Sequence, residues 1–161
     1  MTTQISTAIR AKDGKYLTFH MGEETYGVEV IKVREIIRMQ PITPVPQMPP
    51  HVKGVINLRG KIIPILDLRL RFGLPETTVT DATCIVVVQG DQEDLVHSQT
   101  GLIVDGVEEV LNINIGDIEN TPNFGMAIDS EAILGMAKIK GSVKTLIDIN
   151  RIIHTDGQSP E

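Results

Sequence analysis

The chain has one cysteine, three phenylalanines, two tyrosines and no apolar run of membrane-spanning length. A single Cys84 excludes an internal disulfide framework. It sits in the apolar run "TCIVVVQ" without His or Cys nearby, which predicts a buried, inert thiol. With aromatics at only 3%, the core must rest on Ile, Val and Leu. No stretch approaches the ~20 apolar residues that cross a bilayer. The opening "MTTQISTAIRAKDGK" has no apolar signal-peptide core. A formal net charge of −6 argues against a nonspecific grip on nucleic acid or on an anionic membrane. The expectation is a cytoplasmic protein, with no nucleic acid among its partners and no direct membrane insertion.

Reactive constellations are scarce too. His20, His51, His97 and His154 stand at no metal-ligand spacing from one another or from Cys84. His51, in a proline-rich connector, reads as an exposed loop histidine. There is no G-x-S-x-G, no P-loop and no G-x-G-x-x-G after a strand. Glu108-Glu109 and Asp91–Asp94 are acidic clusters, but nothing nearby would push their pKa values apart, so they read as solvated faces. Aromatics do not interleave with bases as in single-strand binders. No catalytic residue, metal or cofactor is expected, and the chain is read as a non-enzyme.

What is present is a folded, strand-rich pattern. At 161 residues, 41% hydrophobic and 22% charged, the chain suits one domain or two small subdomains sharing an interface. "KYLTFHM" alternates through Leu17, Phe19 and Met21, and "TYGVEV" through Tyr26, Val28 and Val30, predicting a hairpin around "GEE". Val33, Ile36 and Ile37 then fall at i, i+3 and i+4, the spacing of a short helical turn. "QPITPVPQMPP" carries five prolines and reads as an ordered, extended connector. "NLRGKIIPILDL" predicts a second hairpin, Val55–Leu58 returning as Ile62–Leu66 around Arg59-Gly60. Asp67 is placed to cap a brief helix "LRLRF", which Gly73 ends.

The second half repeats the first. "GVINLRGKIIPILDLRLRF" (54–72) lies over "GMAKIKGSVKTLIDINRII" (135–153) without a gap, matching Arg59 with Lys140, Gly60 with Gly141 and Asp67 with Asp148. "GVEVIKVREII" (27–37) matches "GLIVDGVEEVL" (101–111), with Val33 over Val107 and Glu35 over Glu109. "TCIVVVQ" takes the role of "KYLTFHM". Two matches in one order indicate a duplication, and each copy holds enough strands for a small closed barrel of roughly five.

"YGVEVIKVREI", "HVKGVINLRGKIIPILDLR", "LIVDGVEEVL" and "LIDINRII" resemble the CheW-type chemotaxis coupling proteins, over roughly Lys15 to His154. The most specific element is the Asn-Leu-Arg-Gly hairpin followed by Pro64 and Asp67-Leu68-Arg69. The resemblance implies a mainly β fold of two packed five-stranded SH3-like barrels with short helices. The expected division is a flexible tail over 1–14, a domain over 15–154 with barrel halves 15–75 and 80–154, and a flexible tail over 155–161. Whether strand ends cross between the halves stays open.

The resemblance also implies a scaffold that links methyl-accepting chemoreceptors to the regulatory domain of the histidine kinase CheA at the membrane-associated receptor array. A coupling protein of a related chemosensory pathway is the alternative, and a small ligand-binding barrel a more distant one. Carried over from the family, the partner-binding residues are Val33, Glu35, Asn57, Arg59, Gly60 and Val107. Two departures stand out. "QGDQEDLVHSQTG" is a longer acidic loop, over residues 90–100, than the family hairpin. Lys140 replaces Arg59 in the second copy, and Lys lacks Arg's planar fork.

Overall fold

Branched side chains favour an extended backbone, and the Val- and Ile-rich stretches of this sequence are its strands. The structure, a computed structural model, describes residues 11–75, 78–90, 99–119 and 132–154. Its strands are β1 (Gly14–Met21), β2 (Glu24–Glu29), β3 (Val33–Arg38), β4 (Val52–Leu58), β5 (Lys61–Asp67) and β6 (Cys84–Gln89). They continue with β7 (Gln99–Val104), β8 (Gly106–Ile113), β9 (Ile118–Glu119), β10 (Ile133–Ile139) and β11 (Ser142–Ile147). Two short helices, α1 (Leu68–Arg71) and α2 (Ile149–His154), follow β5 and β11. Asp67 caps α1 as expected, its carboxylate accepting from the Arg69 and Leu70 N–H groups at 2.9 and 3.4 Å. The acidic loop over 91–98, residues 1–10 and the tail 155–161 lie outside the described residues.

The helical turn expected at Val33, Ile36 and Ile37 is a strand. Only Val30–Lys32 is helical, as one 3-10 turn. Val33–Arg38 alternates half-buried and exposed residues and pairs with β6 from Val33↔Val88 to Arg38↔Cys84. The i, i+3, i+4 spacing was carried by β-branched residues, and cross-strand pairing overrode it.

The strands form two sheets, ordered β8-β1-β2-β11-β10-β9 and β3-β6-β7-β5-β4. The copies 15–75 and 80–154 are therefore not one barrel each. The first sheet takes β1 and β2 from the first copy and its other strands from the second; the second sheet takes β3, β4 and β5 from the first copy and β6 and β7 from the second. The cause is the short link Val30–Lys32, which has no left-handed hairpin former and carries the chain onward into the other sheet. Asp105 alone links β7 to β8 and carries it back. The parallel pairs β2–β11 and β5–β7 are equivalent, Leu146↔Gly27 matching Ile65↔Gly101.

The proline connector has a counterpart as well. Thr43 exchanges both backbone hydrogen bonds with Val55 at 2.9 Å, beside β4, where β9 lies beside β10. Gly54 makes room for it: a Cβ there would stand 2.0 Å from the Thr43 carbonyl oxygen.

Three apolar clusters result. Ile56, Ile63, Ile65, Ile85, Val87 and Ile103 fill the second barrel. Ala11, Tyr16, Ile113, Ile118, Ala137 and Leu146 fill the first. The largest cluster lies between the sheets and takes Leu17, Phe19 and Met21 from β1, Val86 and Val88 from β6, and Leu102 and Val104 from β7. β6 alternates between the two layers, Ile85 and Val87 inward, Val86 and Val88 toward the other sheet. Burial on both faces explains its unbroken apolar run. Phe19 stacks on Tyr26 in the central layer, and Phe72 tilts against Tyr26, with ring centroids 5.9 and 5.1 Å apart. The Tyr26 hydroxyl donates to Glu24 at 3.0 Å. Burial, then that bond and the Glu24 charge, hold it far above its ordinary pKa.

Residues 11–14, expected in the tail, belong to the fold. Ala11 is buried, Tyr16 donates to the Lys12 carbonyl at 2.8 Å, and Asp13 accepts from the Ile115 N–H at 2.6 Å.

A polar latch joins the sheets at one end. Asp105 accepts from Arg69 Nη1 at 2.6 Å and from the Gly22 N–H at 2.7 Å, while Arg69 Nε donates to the Pro75 carbonyl at 2.9 Å. Arg69 leaves the second sheet with α1, and Gly22 turns β1 into β2 in the first. Both side chains are mostly shielded, at 15% and 21% exposure.

The shared core predicts one cooperative unfolding transition by calorimetry. A lone core of half this size supplies only ~3–5 kcal/mol. Neither fragment from a cut within Leu74–Thr83 should give dispersed amide spectra alone, and two resolved transitions would show independent barrels. Arg69→Ala or Asp105→Ala should cost about 2 kcal/mol, as for a charged hydrogen bond, and lower Tm by roughly 4–8 °C. A loss under ~0.5 kcal/mol would reduce the latch to an ordinary surface pair.

Candidate partner-binding site

The β4–β5 hairpin closes on a two-residue loop, with Leu58 paired to Lys61. Arg59 and Gly60 have φ of 51° and 88°. Two successive left-handed residues are what a type I′ turn demands, and they match the twist of the flanking strands. A left-handed arginine costs about 1 kcal/mol relative to glycine. Asn57 braces the loop, its Oδ1 accepting the Gly60 N–H at 2.9 Å.

Glu35 on β3 accepts a hydrogen bond from Arg59 Nη2 and forms an ion pair with it. β3 and β4 are the two outer strands of the same sheet, so the pair spans the barrel's seam. Arg59 remains 69% exposed, whereas Glu35 is 29% exposed. The arginine is thus a clasp whose outer face still meets solvent.

Glu35, Asn57, Arg59 and Gly60 come together here. Val33 precedes Glu35 on β3, across a bulge, and is half-buried against the central layer. Val107 is not in this cluster. It lies on β8, at the edge of the other sheet, half-buried against the same central layer. It is Val33's counterpart in the repeat.

The second copy keeps the turn and loses the clasp. Lys140 and Gly141 have φ of 53° and 82° between paired Ile139 and Ser142. Among the described residues Lys140 makes no ion pair with Glu109, and both are exposed. Lys138 Nζ instead reaches Glu119 at 2.8 Å, tying β10 to β9.

Sequence reading missed a set of exposed apolar side chains. Ile36 and Ile62 flank the Glu35–Arg59 clasp in sequence and are about half exposed. Val110 and Val143, their counterparts in the two repeat alignments, are about half exposed as well. A lone exposed Ile or Val is ordinary; the same two positions exposed on both barrels is a pattern. The repeat was its available signal.

Two other expectations shift. His51 is half-buried rather than exposed, and its carbonyl accepts the Asp67 N–H at 2.7 Å. Cys84 is half-buried, and burial pushes its thiol pKa up, away from the reactive thiolate. Among the described residues no group of three or more His, Cys, Asp or Glu side chains could hold a metal ion.

Comparison with known proteins agrees with this architecture. The model of the CheW-like domain matches residues 15–157. The chain is 31% identical over 142 residues to the chemotaxis protein CheW of Klebsiella aerogenes, covering 88% of this chain and 82% of that one. Protein FrzA of Myxococcus xanthus is 27% identical over 147 residues, covering 89% and 88% of the two chains. The crystal structure of the scaffolding protein TtCheW from Thermoanaerobacter tengcongensis superposes with a TM-score of 0.80 at 32% identity, covering 92% of this chain and 97% of that one. With a matched model spanning nearly the whole chain and a matching two-barrel fold, this protein belongs to the CheW-like domain family.

Proposed function

We propose that the chain is a non-enzymatic chemotaxis adaptor. It couples methyl-accepting chemoreceptors to the regulatory domain of the histidine kinase CheA, and it helps assemble receptor arrays. The observation that carries this reading is the repeated apolar pair, Ile36 with Ile62 on one barrel and Val110 with Val143 on the other. A chain with two related faces can hold two neighbours at once, as a scaffold must. By the family resemblance, CheA's regulatory domain has the same fold and packs against such faces, while the receptor tip docks in the groove between barrels. The protein sits at the membrane-associated array through these partners. No helix among the described residues is long and apolar enough to cross a membrane.

Glu35, Arg59 and the turn set by Asn57 and Gly60 supply the charged part of the first face, with Val33 at its edge. Val107 holds the matching place in the other barrel. A related sensory pathway is the second reading. Its support is the similarity to Protein FrzA of Myxococcus xanthus, whose name does not mention chemotaxis.

Binding of the purified protein to a CheA-type regulatory domain and to a receptor signalling tip tests the proposal. Glu35→Lys or Arg59→Glu should weaken binding at least about tenfold, because like charges brought together at an interface cost several kcal/mol. Arg59→Ala should change stability by no more than ~1 kcal/mol, since the arginine is largely exposed. The swap Glu35→Arg with Arg59→Glu restores the clasp but inverts its outward charge, so binding should stay weak. Full rescue by the swap would reduce the pair to a seam closure. Wild-type binding by both single variants would remove this cluster from the interface.

A further inference from the structure

Each half of the chain is an incomplete object. The first half supplies β1 to β5 and α1, and the second supplies β6 to β11 and α2. All three apolar clusters draw on both. Tyr16 shares one barrel's core with Ile113 and Leu146, and Ile63 and Ile65 share the other's with Ile85 and Val87. In the central layer Phe19 and Phe72 come from the first half, Val86 and Ile152 from the second. The ladders β1–β8, β2–β11, β3–β6 and β5–β7 all cross between halves, and so does the Arg69–Asp105 latch.

What makes the halves one molecule is a single covalent link. Among the described residues, none from Pro75 to Thr83 enters a ladder or an apolar cluster. Residues 78–82 are exposed throughout, Val79 included. The hydrogen bonds of the link are local. The Pro75 carbonyl accepts from Arg69 of the first half, and Thr80 and Thr83 bond each other at 2.9 and 3.2 Å. A second copy of the chain can therefore satisfy every contact between the halves, and only the path of the link differs.

We propose that two copies of this chain trade halves, β1 to α1 of each folding with β6 to α2 of the other. Each two-barrel unit of the dimer keeps its three cores, its latch and the faces carrying Ile36 and Val110, and the two links tie the units together. Such swapping is a low-cost route to a dimer. Because the contacts are the same, the balance between monomer and dimer follows the effective concentration that the link provides, on the order of 1 mM for a short flexible connection. Parting the halves means opening the shared core, so a dimer once formed persists on dilution. The inference rests on topology and needs no kinase or receptor, so its failure would leave the adaptor reading untouched.

The test refolds tagged and untagged full-length chains together from guanidinium chloride, dilutes them and captures the tag. With an effective concentration of ~1 mM, roughly a third of the chains should be dimeric after refolding at ~0.5 mM, and about one in a hundred after refolding at ~5 µM. Chains folded separately and then mixed should not capture each other. A cysteine pair reads the geometry. Lys15 and Asn112 face each other on β1 and β8, and both are exposed. Facing Cα atoms in an antiparallel ladder stand ~4.5–5.5 Å apart, within reach of a disulfide. With Cys84→Ser in both chains, Lys15→Cys in one and Asn112→Cys in the other, refolding together at the higher concentration and oxidation by air should give a disulfide-linked dimer. Monomers alone at the higher concentration overturn the proposal. So does capture between chains folded separately, or a linked dimer no more abundant than in a mixture of such chains, since either would mean surface contact without trading.

Discussion

Burial of one apolar layer between two sheets is the constraint from which the rest of this structure follows. Each barrel's own interior is small, a handful of Ile, Val and Ala side chains with one tyrosine. The layer between them is larger and holds Phe19, Tyr26 and Phe72. With so few aromatics, area can be buried only by giving strands two covered faces. β1, β6 and β7 do so, and in β6 the consequence is an unbroken apolar run, Ile85–Val88. At roughly 25 cal/mol per Å² of apolar surface buried, the shared layer is what makes two barrels of this size stable together.

The exchange of strands follows from the same economy. A duplicated unit could fold twice, side by side, joined by a linker. Here every sheet instead mixes both copies, so the ladders β1–β8, β2–β11, β3–β6 and β5–β7 all join residues far apart in sequence. Repetition then set the backbone and left the side chains free to diverge. The hairpin tips keep left-handed pairs at Arg59-Gly60 and Lys140-Gly141, while only the first carries a clasp. The links keep their place, while only Asp105 forms a latch, with Ile31 as its uncharged counterpart. Backbone symmetry with side-chain asymmetry yields two faces of one shape and different chemistry.

Hairpins, the Asp67 cap and the turn at Arg59-Gly60 could be read from the sequence because each rests on neighbours within a few residues. Strand exchange could not. Nothing local distinguishes pairing of β2 with β11 from pairing within a copy, since Leu146 and its counterpart Ile65 would fit equally beside Gly27. The stretch Val33–Ile37 failed for a related reason. Its spacing served a helix and its residue types a strand, and only the presence of β6 decides between them. The candidate cluster was partly legible: Glu35 and Arg59 meet, but Val107 stands in the other sheet. Asp105 gave no sign, because a lone Asp-Gly after a strand looks like any turn.

A coupling protein must transmit the position of one neighbour to another, and that requires its two faces to keep a fixed relation. Domains in one chain are mobile relative to each other by default unless a large apolar interface holds them. A flexible linker would bring partners together only by raising their effective concentration, with no preferred orientation. Strand exchange stitches the two sheets together through the short links Val30–Lys32 and Asp105, and the Arg69–Asp105 latch pins one end. Rocking the barrels apart would mean breaking the Arg69–Asp105 pair and wetting the layer around Phe19. Rigidity and stability are here the same interaction, and the faces carrying Ile36 and Val110 inherit their geometry from it.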